Sequence, residues 1–587
     1  MRPVNERLGK RIVNYVASVL CLGAAVVCFR GATWRGFEYD ELWTLFHFAG
    51  ADSVWQIFRE LAVPNNHPLH SLLVRLVVNE TGVTELWARL PALVAGICLL
   101  ALVPVGAWLV SRDGNTTVLT TAWCALNAPL LHFAQSARGY TMQSALIVGF
   151  ALLIYLARLS PRREWHALVG AVLVGMGAML VLPTSALYLA AIGICDFADR
   201  IFQWRRVAAA DRRPFLAVFG PVLIAYGLLA TLAAGWLVWV ARELFQARAA
   251  FGEPIVSLGA WLQFVGGVAG SLWNWPLMVL AVVGLLIIRR RRLAASLAMV
   301  LIFPLAAAVL TRAGPPRAYL PSVPFVMFAA ALGAARLMEL AVARWRLSHW
   351  RPAVTVLLML APMCWLPRML RLWTPVDWQQ IALQLQGLPT DTYVSYPATA
   401  GYVIHFYYQP GIVSQIADRV PTGDTFMFAQ VGERRRIEGM CPPQFHTEQI
   451  SVPSGIPCVT RRIGDVDIAL YRARRVGGET AIHAHDHSIS FAAIGPAAKT
   501  EVLDIVHDLE GTDGRCRWLI LNGFLSGMWP MAANPQSRAA ILFATTNMGS
   551  SSSELLPLTE RWNGKLRLYQ CGDAVPVENV AGVPSTR

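Results

Sequence analysis

Charge is scarce in this chain. Asp, Glu, Lys and Arg make up 15% of its 587 residues, against roughly 25% in an ordinary soluble domain. Acidic side chains are the rarer sign, 36 against 50 Lys and Arg, and lysine is so sparse that nearly all the positive charge is arginine. With 55% hydrophobic residues and a mean hydropathy of +0.47, this shortage excludes a wholly water-soluble fold. CxxC pairs and Cys/His ligand spacings are missing, so nothing points to structural zinc. No internal repeat or low-complexity tract is present, which excludes a solenoid and leaves a repeat-built transporter without its usual signature. The net charge of +14 would suit nucleic acid only on a basic face free of lipid spans.

What is present is a series of apolar runs of the roughly 20-residue length that crosses a bilayer. Eleven spans are expected, near residues 12–30, 89–110, 117–133, 140–157, 166–182, 184–198, 215–240, 274–288, 293–311, 319–335 and 352–368. Basic segments at 2–11, 112, 158–163, 200–213, 289–292 and 336–351 then fall on one side, as cytoplasmic loops do. The expected chain is an α-helical polytopic membrane protein with a cytoplasmic amino terminus. Its membrane domain is 1–368, including an extracytoplasmic interfacial loop at 31–88, and 369–587 forms a periplasmic or extracellular α/β domain. Residues 1–30 lack a clear small-residue cleavage site and are expected to be a retained span. High Arg and Ala with few Lys suggest a bacterial source of high GC content, and hence the bacterial inner (plasma) membrane.

Six of the ten cysteines, Cys21, Cys28, Cys98, Cys124, Cys195 and Cys364, sit in apolar spans, where a thiol acts as a small hydrophobe. Cys441, Cys458, Cys516 and Cys571 lie in the exterior domain. Their even number fits two disulfides, most simply Cys441–Cys458 and Cys516–Cys571, although four cysteines allow three pairings. That domain opens with an amphipathic stretch at 376–387. Strand-like runs follow at 392–396, 468–471, 518–521, 540–544 and 566–569, with a helical pattern at 501–509. The run His483-Ala484-His485-Asp486-His487 fits either a metal site on alternating strand positions or a solvated loop. Tyr402, Phe406, Tyr407 and Tyr408 fit a core or a surface that stacks on sugar rings.

Residues 37–87 are too polar to span and too apolar to float free, so they are expected to lie along the outer membrane surface. They hold Glu38-Tyr39-Asp40-Glu41, then Asn65-Asn66-His67-Pro68, then Arg75, then Arg89-Leu90-Pro91 at the entrance to the second span. Further on, Ala137-Arg138-Gly139-Tyr140 leads the fourth span and Arg317-Ala318-Tyr319-Leu320-Pro321 the tenth. This order of motifs resembles family 39 of the GT-C membrane glycosyltransferases, the family of protein O-mannosyltransferases and the lipid A aminoarabinose transferase. The strong resemblance covers about residues 37–155, with a weaker match near 317–324.

The resemblance implies a GT-C fold and transfer of a sugar from a polyprenyl-phosphate donor to an acceptor hydroxyl at the outer face. Acceptors in question are an envelope glycan, a lipid or a protein, and membrane lipids are further partners. Asp40 matches the family's presumed base, and inversion at the anomeric carbon is expected. The chemistry of the residues agrees. An acceptor alcohol needs its proton removed in the transition state, work suited to a carboxylate, whereas a leaving phosphate needs cations and hydrogen-bond donors. Arg138, Arg317, Tyr319 and His67 are the candidates for holding it, with Arg75, Arg89 and Tyr140 as support. The metal-ligand carboxylate of some relatives is not evident beside His67, which leaves dependence on a divalent metal open.

Each assignment has a plainer counterpart. Asp40 and Glu41 also suit a helix amino terminus; adjacent residues point in different directions, so Glu41 is expected to hold an arginine, metal or acceptor. His67-Pro68 also suits a helix start, Arg138 a snorkelling position, Tyr319 a membrane boundary and Arg89 a pin at the span entrance. A transporter or flippase, or a non-catalytic scaffold of envelope glycan assembly, is the competing class of function.

Overall fold

The computed structural model describes residues 2–366 except 52, 60–65, 208–213, 249–254, 256, 289, 312–313 and 346–349, and beyond them eight short strands between 392 and 570. The proposed disulfide cysteines Cys441, Cys458, Cys516 and Cys571 lie outside the described residues, as do Asn65, the 402–408 aromatics, the 483–487 run and the stretches expected at 376–387, 501–509 and 518–521. The chain divides into two compact units. One comprises Met1–Trp34, Ile57–Leu61 and Asn66–Thr374; the other comprises Arg35–Gln56, Ala62–Asn65 and Pro375–Arg587.

The helices, in chain order, begin with α1 (Arg2–Trp34), α2 (Tyr39–Trp43), α3 (Val54–Arg59), α4 (Pro68–Thr81) and α5 (Glu85–Ser111). They continue with α6 (Gly114–Ala125), α7 (Ala128–Ala134), α8 (Tyr140–Leu159), α9 (Glu164–Val181), α10 (Ser185–Arg206) and α11 (Phe215–Trp239). Last come α12 (Ala241–Arg248), α13 (Leu258–Val268), α14 (Trp275–Ile287), α15 (Arg291–Thr311), α16 (Ser322–Trp345) and α17 (Arg351–Leu360).

Among the described residues, seven helices are long and apolar enough to cross a membrane: α5, α8, α9, α11, and most of α1, α15 and α16. The eleven expected spans differ from this set for local reasons. The run expected at 117–133 breaks because Asn127 caps a fresh helix, its Oδ1 accepting from Leu130 N–H at 3.0 Å, and Pro129 follows in the first turn. The expected 274–288 span is instead half of a pair: α13 passes through a π-helical turn, and Asn274, at φ +67°, turns the chain by 104° into α14. Counting that pair as one span gives eight. The expected 184–198 span lies within α10, whose second half carries Asp196, Asp199, Arg200, Arg205 and Arg206 and so fails as an apolar span. The 352–368 stretch is a short apolar helix.

Among the described residues the helical unit is held together by buried clusters, with a small one joining α1 to α5, α6 and α7 and two larger ones beside it. The larger is built chiefly from α5, α6, α8, α14, α15 and α16, and the second from α8 to α11. The six cysteines expected in the spans are free thiols. Helices α14 and α16 meet backbone to backbone at Gly284 and Gly333. A Cβ on Gly284 would collide with the Ala329 carbonyl, and one on Gly333 would lie 2.9 Å from the Gly284 Cα. Small residues at such crossings let helices pack without a hydrophobic drive from water. Gly333→Val is therefore expected to cost about 1–3 kcal/mol by overpacking, seen as a lower unfolding temperature in detergent. Gly220→Ala, where a Cβ meets nothing within 4 Å, serves as the control and leaves the midpoint in place.

In the other unit the strands are β1 (Thr392–Ser395), β2 (Thr425–Glu433), β3 (Ile450–Ser451), β4 (Val459–Ile463), β5 (Val466–Arg475), β6 (Ala540–Ile541), β7 (Leu556–Arg561) and β8 (Leu566–Gln570). The first five form one sheet of order β1-β2-β5-β3, with β4 also on β5, and the rest a sheet of order β6-β8-β7. β1 runs parallel to β2 and β6 to β8; the other pairs are antiparallel. Of the expected strands, 392–396, 468–471, 540–544 and 566–569 overlap β1, β5, β6 and β8, the third only at Ala540–Ile541. β2, β3, β4 and β7 were not expected. β4 and β5 pair antiparallel, with Ile463 opposite Val466.

Candidate active site

Three sequence motifs that lie far apart meet in the helical unit. Arg138 stands in the turn between α7 and α8, and its N–H donates to the Ser136 carbonyl at 2.6 Å. Tyr140 opens α8. Arg317 stands in a 3-10 turn, Pro316–Tyr319, ahead of α16. The Tyr140 hydroxyl accepts from Arg138 Nη2 at 3.1 Å and from Arg317 Nε at 3.0 Å, although 177 residues separate the latter pair. The Arg138 guanidinium also lies 5.3 Å from the centre of the Tyr140 ring. Two fixed cations thus converge on one phenol oxygen, an arrangement suited to an anion with several acceptor oxygens.

His67 closes the other side of the ring. Its imidazole packs edge-on to Tyr140, centroids 4.6 Å apart, and Phe133 does the same at 4.8 Å. His67 precedes α4, whose first residue is Pro68, and the stretch before it is tied down by Asn66, which donates to the Ile57 carbonyl at 2.7 Å and accepts from Ser71 Oγ at 3.1 Å. Gly139 makes the approach possible. A Cβ there would come within 2.7 Å of Val181 Cγ1 and 2.9 Å of His67 Cβ. Gln143, one turn into α8, donates to Thr184 Oγ1 and Ser185 Oγ at 3.1 and 3.0 Å, fixing α8 to the turn between α9 and α10.

His67 is fully buried, and neither ring nitrogen has a hydrogen-bond partner of good geometry among the described residues. Burial, then the charges of Arg138, His70 and Arg317, hold its pKa well below the usual histidine range, with the Val181 backbone opposing. It is therefore neutral near pH 7, with one N–H to donate. The unfolded chain takes up a proton at about pH 6.5 while the folded site resists it, so stability is complete above that pH and declines as pH falls toward the folded value. The unfolding midpoint in detergent is expected to drop between about pH 7 and pH 5, and His67→Gln to remove part of the slope. An unchanged slope in the variant would contradict this origin.

The remaining predicted residues separate into distinct environments. Tyr319 is buried with its ring edge-on to Phe264, 5.3 Å between centroids, and its carbonyl accepts from Ser322 Oγ at 2.6 Å. Arg89 is buried in the first turn of α5 and donates through Nη1 to the carbonyls of Gly31 and Ala32, both at 3.4 Å, at the carboxyl end of α1. That geometry agrees with the pin at the span entrance. Arg75 is partly exposed on α4, eight residues beyond His67 and so about 12 Å further along the axis.

In the second unit, Asp40 and Glu41 lie in the first turn of α2. Glu41 is completely buried, and its Oε2 accepts from the Glu38 backbone N–H at 2.8 Å, while Glu38 pairs with Arg35. Asp40 is partly exposed, and its carbonyl accepts from Thr44 Oγ1 at 3.1 Å. α2 runs on into a π-helical turn, Thr44–Ala49, a geometry frequent at functional sites. The two carboxylates thus differ in surroundings, Glu41 holding the start of the helix. No group of three or more His, Cys, Asp or Glu among the described residues is arranged to hold a metal ion.

Phe133, Gln143, Thr184 and Ser185 were not foreseen. Gln143 carried a signal, being polar inside an apolar run, where such residues serve as interhelical hydrogen-bond partners. No family model matches the chain, and no curated protein matches it in sequence. Among solved structures, the chain is similar to ArnT from Cupriavidus metallidurans in the apo state, with 13% identity over 77% of this chain and 97% of that one, at a TM-score of 0.40. It is also similar to ArnT from Cupriavidus metallidurans bound to undecaprenyl phosphate, with 14% identity, the same coverage and a TM-score of 0.39. At this distance neither likeness assigns a role to any residue.

Proposed function

We propose that the chain is a membrane glycosyltransferase that moves a sugar from a polyprenyl phosphate, undecaprenyl phosphate or a similar carrier, to an acceptor hydroxyl at the outer face of the plasma membrane. The observation that supports this most is the convergence of Arg138 and Arg317 on the Tyr140 phenol beside a neutral His67. In this reading the two guanidinium groups hold the donor phosphate, and His67 adds an uncharged N–H that gives nothing away as a proton source. Asp40 takes the acceptor's proton as the new bond forms at the anomeric carbon, and the bond to the phosphate oxygen breaks in the same step. The carrier leaves as its phosphate anion, stabilised by the arginines, and the configuration inverts. Glu41 holds the start of the helix that presents Asp40. The acceptor is an envelope glycan, a glycolipid or a protein, and the exterior domain is a candidate for holding it.

Cells lacking the chain are expected to accumulate one polyprenyl-phosphate sugar and to carry one envelope glycan short by a defined mass, both read by mass spectrometry and both restored by the wild type. If deletion leaves every lipid-linked sugar and glycan unchanged under several growth conditions, the reading fails and the transporter and scaffold classes take its place.

A further inference from the structure

A cavity of ≈ 520 Å³ opens at the end of α8 opposite the Tyr140 site. Its walls are apolar, with Val103 from α5, Leu152 from α8, Val300 from α15 and Phe325 and Phe328 from α16. The lining runs along α8 from Val148 to Leu159, about 16 Å at the rise of a helix. Volume and depth suit one flexible hydrocarbon chain better than a compact solute, and the size falls within the usual range of small-molecule sites.

The charged residues of the lining gather at the mouth. Arg158, Asp196, Asp199, Arg290 and Arg292 line it. Asp199 pairs with Arg158 and, at 2.9 Å, with Arg292; Asp196 pairs with Arg158 at 3.6 Å and Arg200 at 3.0 Å; Arg200 also reaches Glu164 at 2.8 Å. The Tyr226 hydroxyl donates to Asp196 at 3.0 Å. Arg292 and Arg206 both lie over the Phe202 ring, at 4.1 and 4.6 Å, and Arg290 donates to the Val110 carbonyl at 3.0 Å. With Arg200, Arg206 and Glu164 just outside the lining, five guanidinium groups thus meet three carboxylates, and the rim is net positive. Arg290 in the lining and Arg206 beside it are exposed.

We propose that this cavity holds one acyl chain of an anionic glycerophospholipid, with the lipid phosphate at the arginine rim. The walls match the chain and the surplus charge matches the headgroup, which a zwitterionic lipid would not neutralise. Free phosphate would leave the apolar depth unused. The mouth lies at the end where the arginine-rich loops gather, the face expected to be cytoplasmic. Basic pockets between membrane helices on that side recognise anionic lipids. The site stands apart from the transferase reading and does not depend on it.

Native mass spectrometry of the full chain in detergent tests it, with phosphatidylglycerol, phosphatidylcholine of the same acyl chains, and glycerol 3-phosphate as probes. Phosphatidylglycerol is expected to bind about tenfold or more tightly than phosphatidylcholine, and the double variant Arg206→Gln with Arg290→Gln, which leaves every ion pair of the rim in place, to erase that preference. Ala151→Trp, inside the lining, is expected to abolish the tight adduct while the unfolding temperature stays near wild type. Equal affinity for the two lipids overturns the proposal. So does displacement of phosphatidylglycerol by equimolar glycerol 3-phosphate, which would mark a site for free phosphate esters, and so does wild-type binding by Ala151→Trp in a folded protein.

Discussion

Asp40→Asn is expected to lower sugar transfer by about 10²–10⁴-fold, the usual contribution of a positioned general base, with the protein at wild-type abundance. Asparagine matches the shape of aspartate but takes up no proton. The bonds that the Asp40 carbonyl accepts from Thr44, through its Oγ1 and its backbone N–H, are made by the backbone and survive the change. Single-turnover transfer from a lipid-linked donor, followed by mass spectrometry, separates lost chemistry from lost binding, because the donor stays bound and unspent. Wild-type turnover by the variant would remove Asp40 from the reaction. Glu41→Gln is the informative contrast. It keeps an oxygen to accept from the Glu38 N–H, so its effect is expected to stay within about tenfold, as for a residue that holds a helix start.

The second large effect belongs to the arginines. Arg138→Gln and Arg317→Gln are each expected to lower transfer by about 10²–10³-fold, the scale seen when one donor to a developing anion is removed. Negative charge grows on the phosphate oxygen as the sugar leaves, so the loss should fall mainly on kcat, with a smaller rise in KM for the donor. Because both side chains are oriented by the Tyr140 hydroxyl, the double variant should lose less than the product of the singles. Lysine at 138 keeps the charge but not the planar fork and should recover only part of the rate. A rise in KM with unchanged kcat in both singles would make them ground-state binders only.

The membrane character of the chain was legible in its apolar runs, because a span must be long and uninterrupted to avoid stranding backbone groups in lipid. The interruptions were harder to see. Asn127 and Asn274 each sit among apolar neighbours, and only the geometry distinguishes an asparagine that caps a new helix from one carried along inside a span. Arg138 and His67 were recognisable because an arginine before a glycine at a span entrance and a His-Pro pair at a helix start are local patterns. Their meeting on Tyr140 with Arg317 was not, since it depends on how α4, α8 and α16 pack. Gly139 shows the same limit. The sequence offers a flexible residue, whereas the structure shows a place where His67 and Val181 leave no room for a Cβ. In the second unit, alternation marked β1 and β5, whereas β2 is placed by pairing with strands distant from it in sequence.

The bonds from Arg89 to Gly31 and Ala32 also set an order of events during synthesis. Gly31 and Arg89 are 58 residues apart, so at about 5–20 residues per second the arginine emerges roughly 3–12 seconds after the carbonyls it will cap. Through that interval Thr33 Oγ1 still serves the Phe29 and Arg30 carbonyls, but the Gly31 and Ala32 carbonyls lack the arginine, and the intervening segment, which carries Asp40 and His67, is tethered at one foot. Arrival of α5 closes the second foot. A ribosome stalled before residue 89 would therefore leave α1 without this clasp and the segment that follows it anchored at one end only, and limited proteolysis of the stalled chain is expected to cut there.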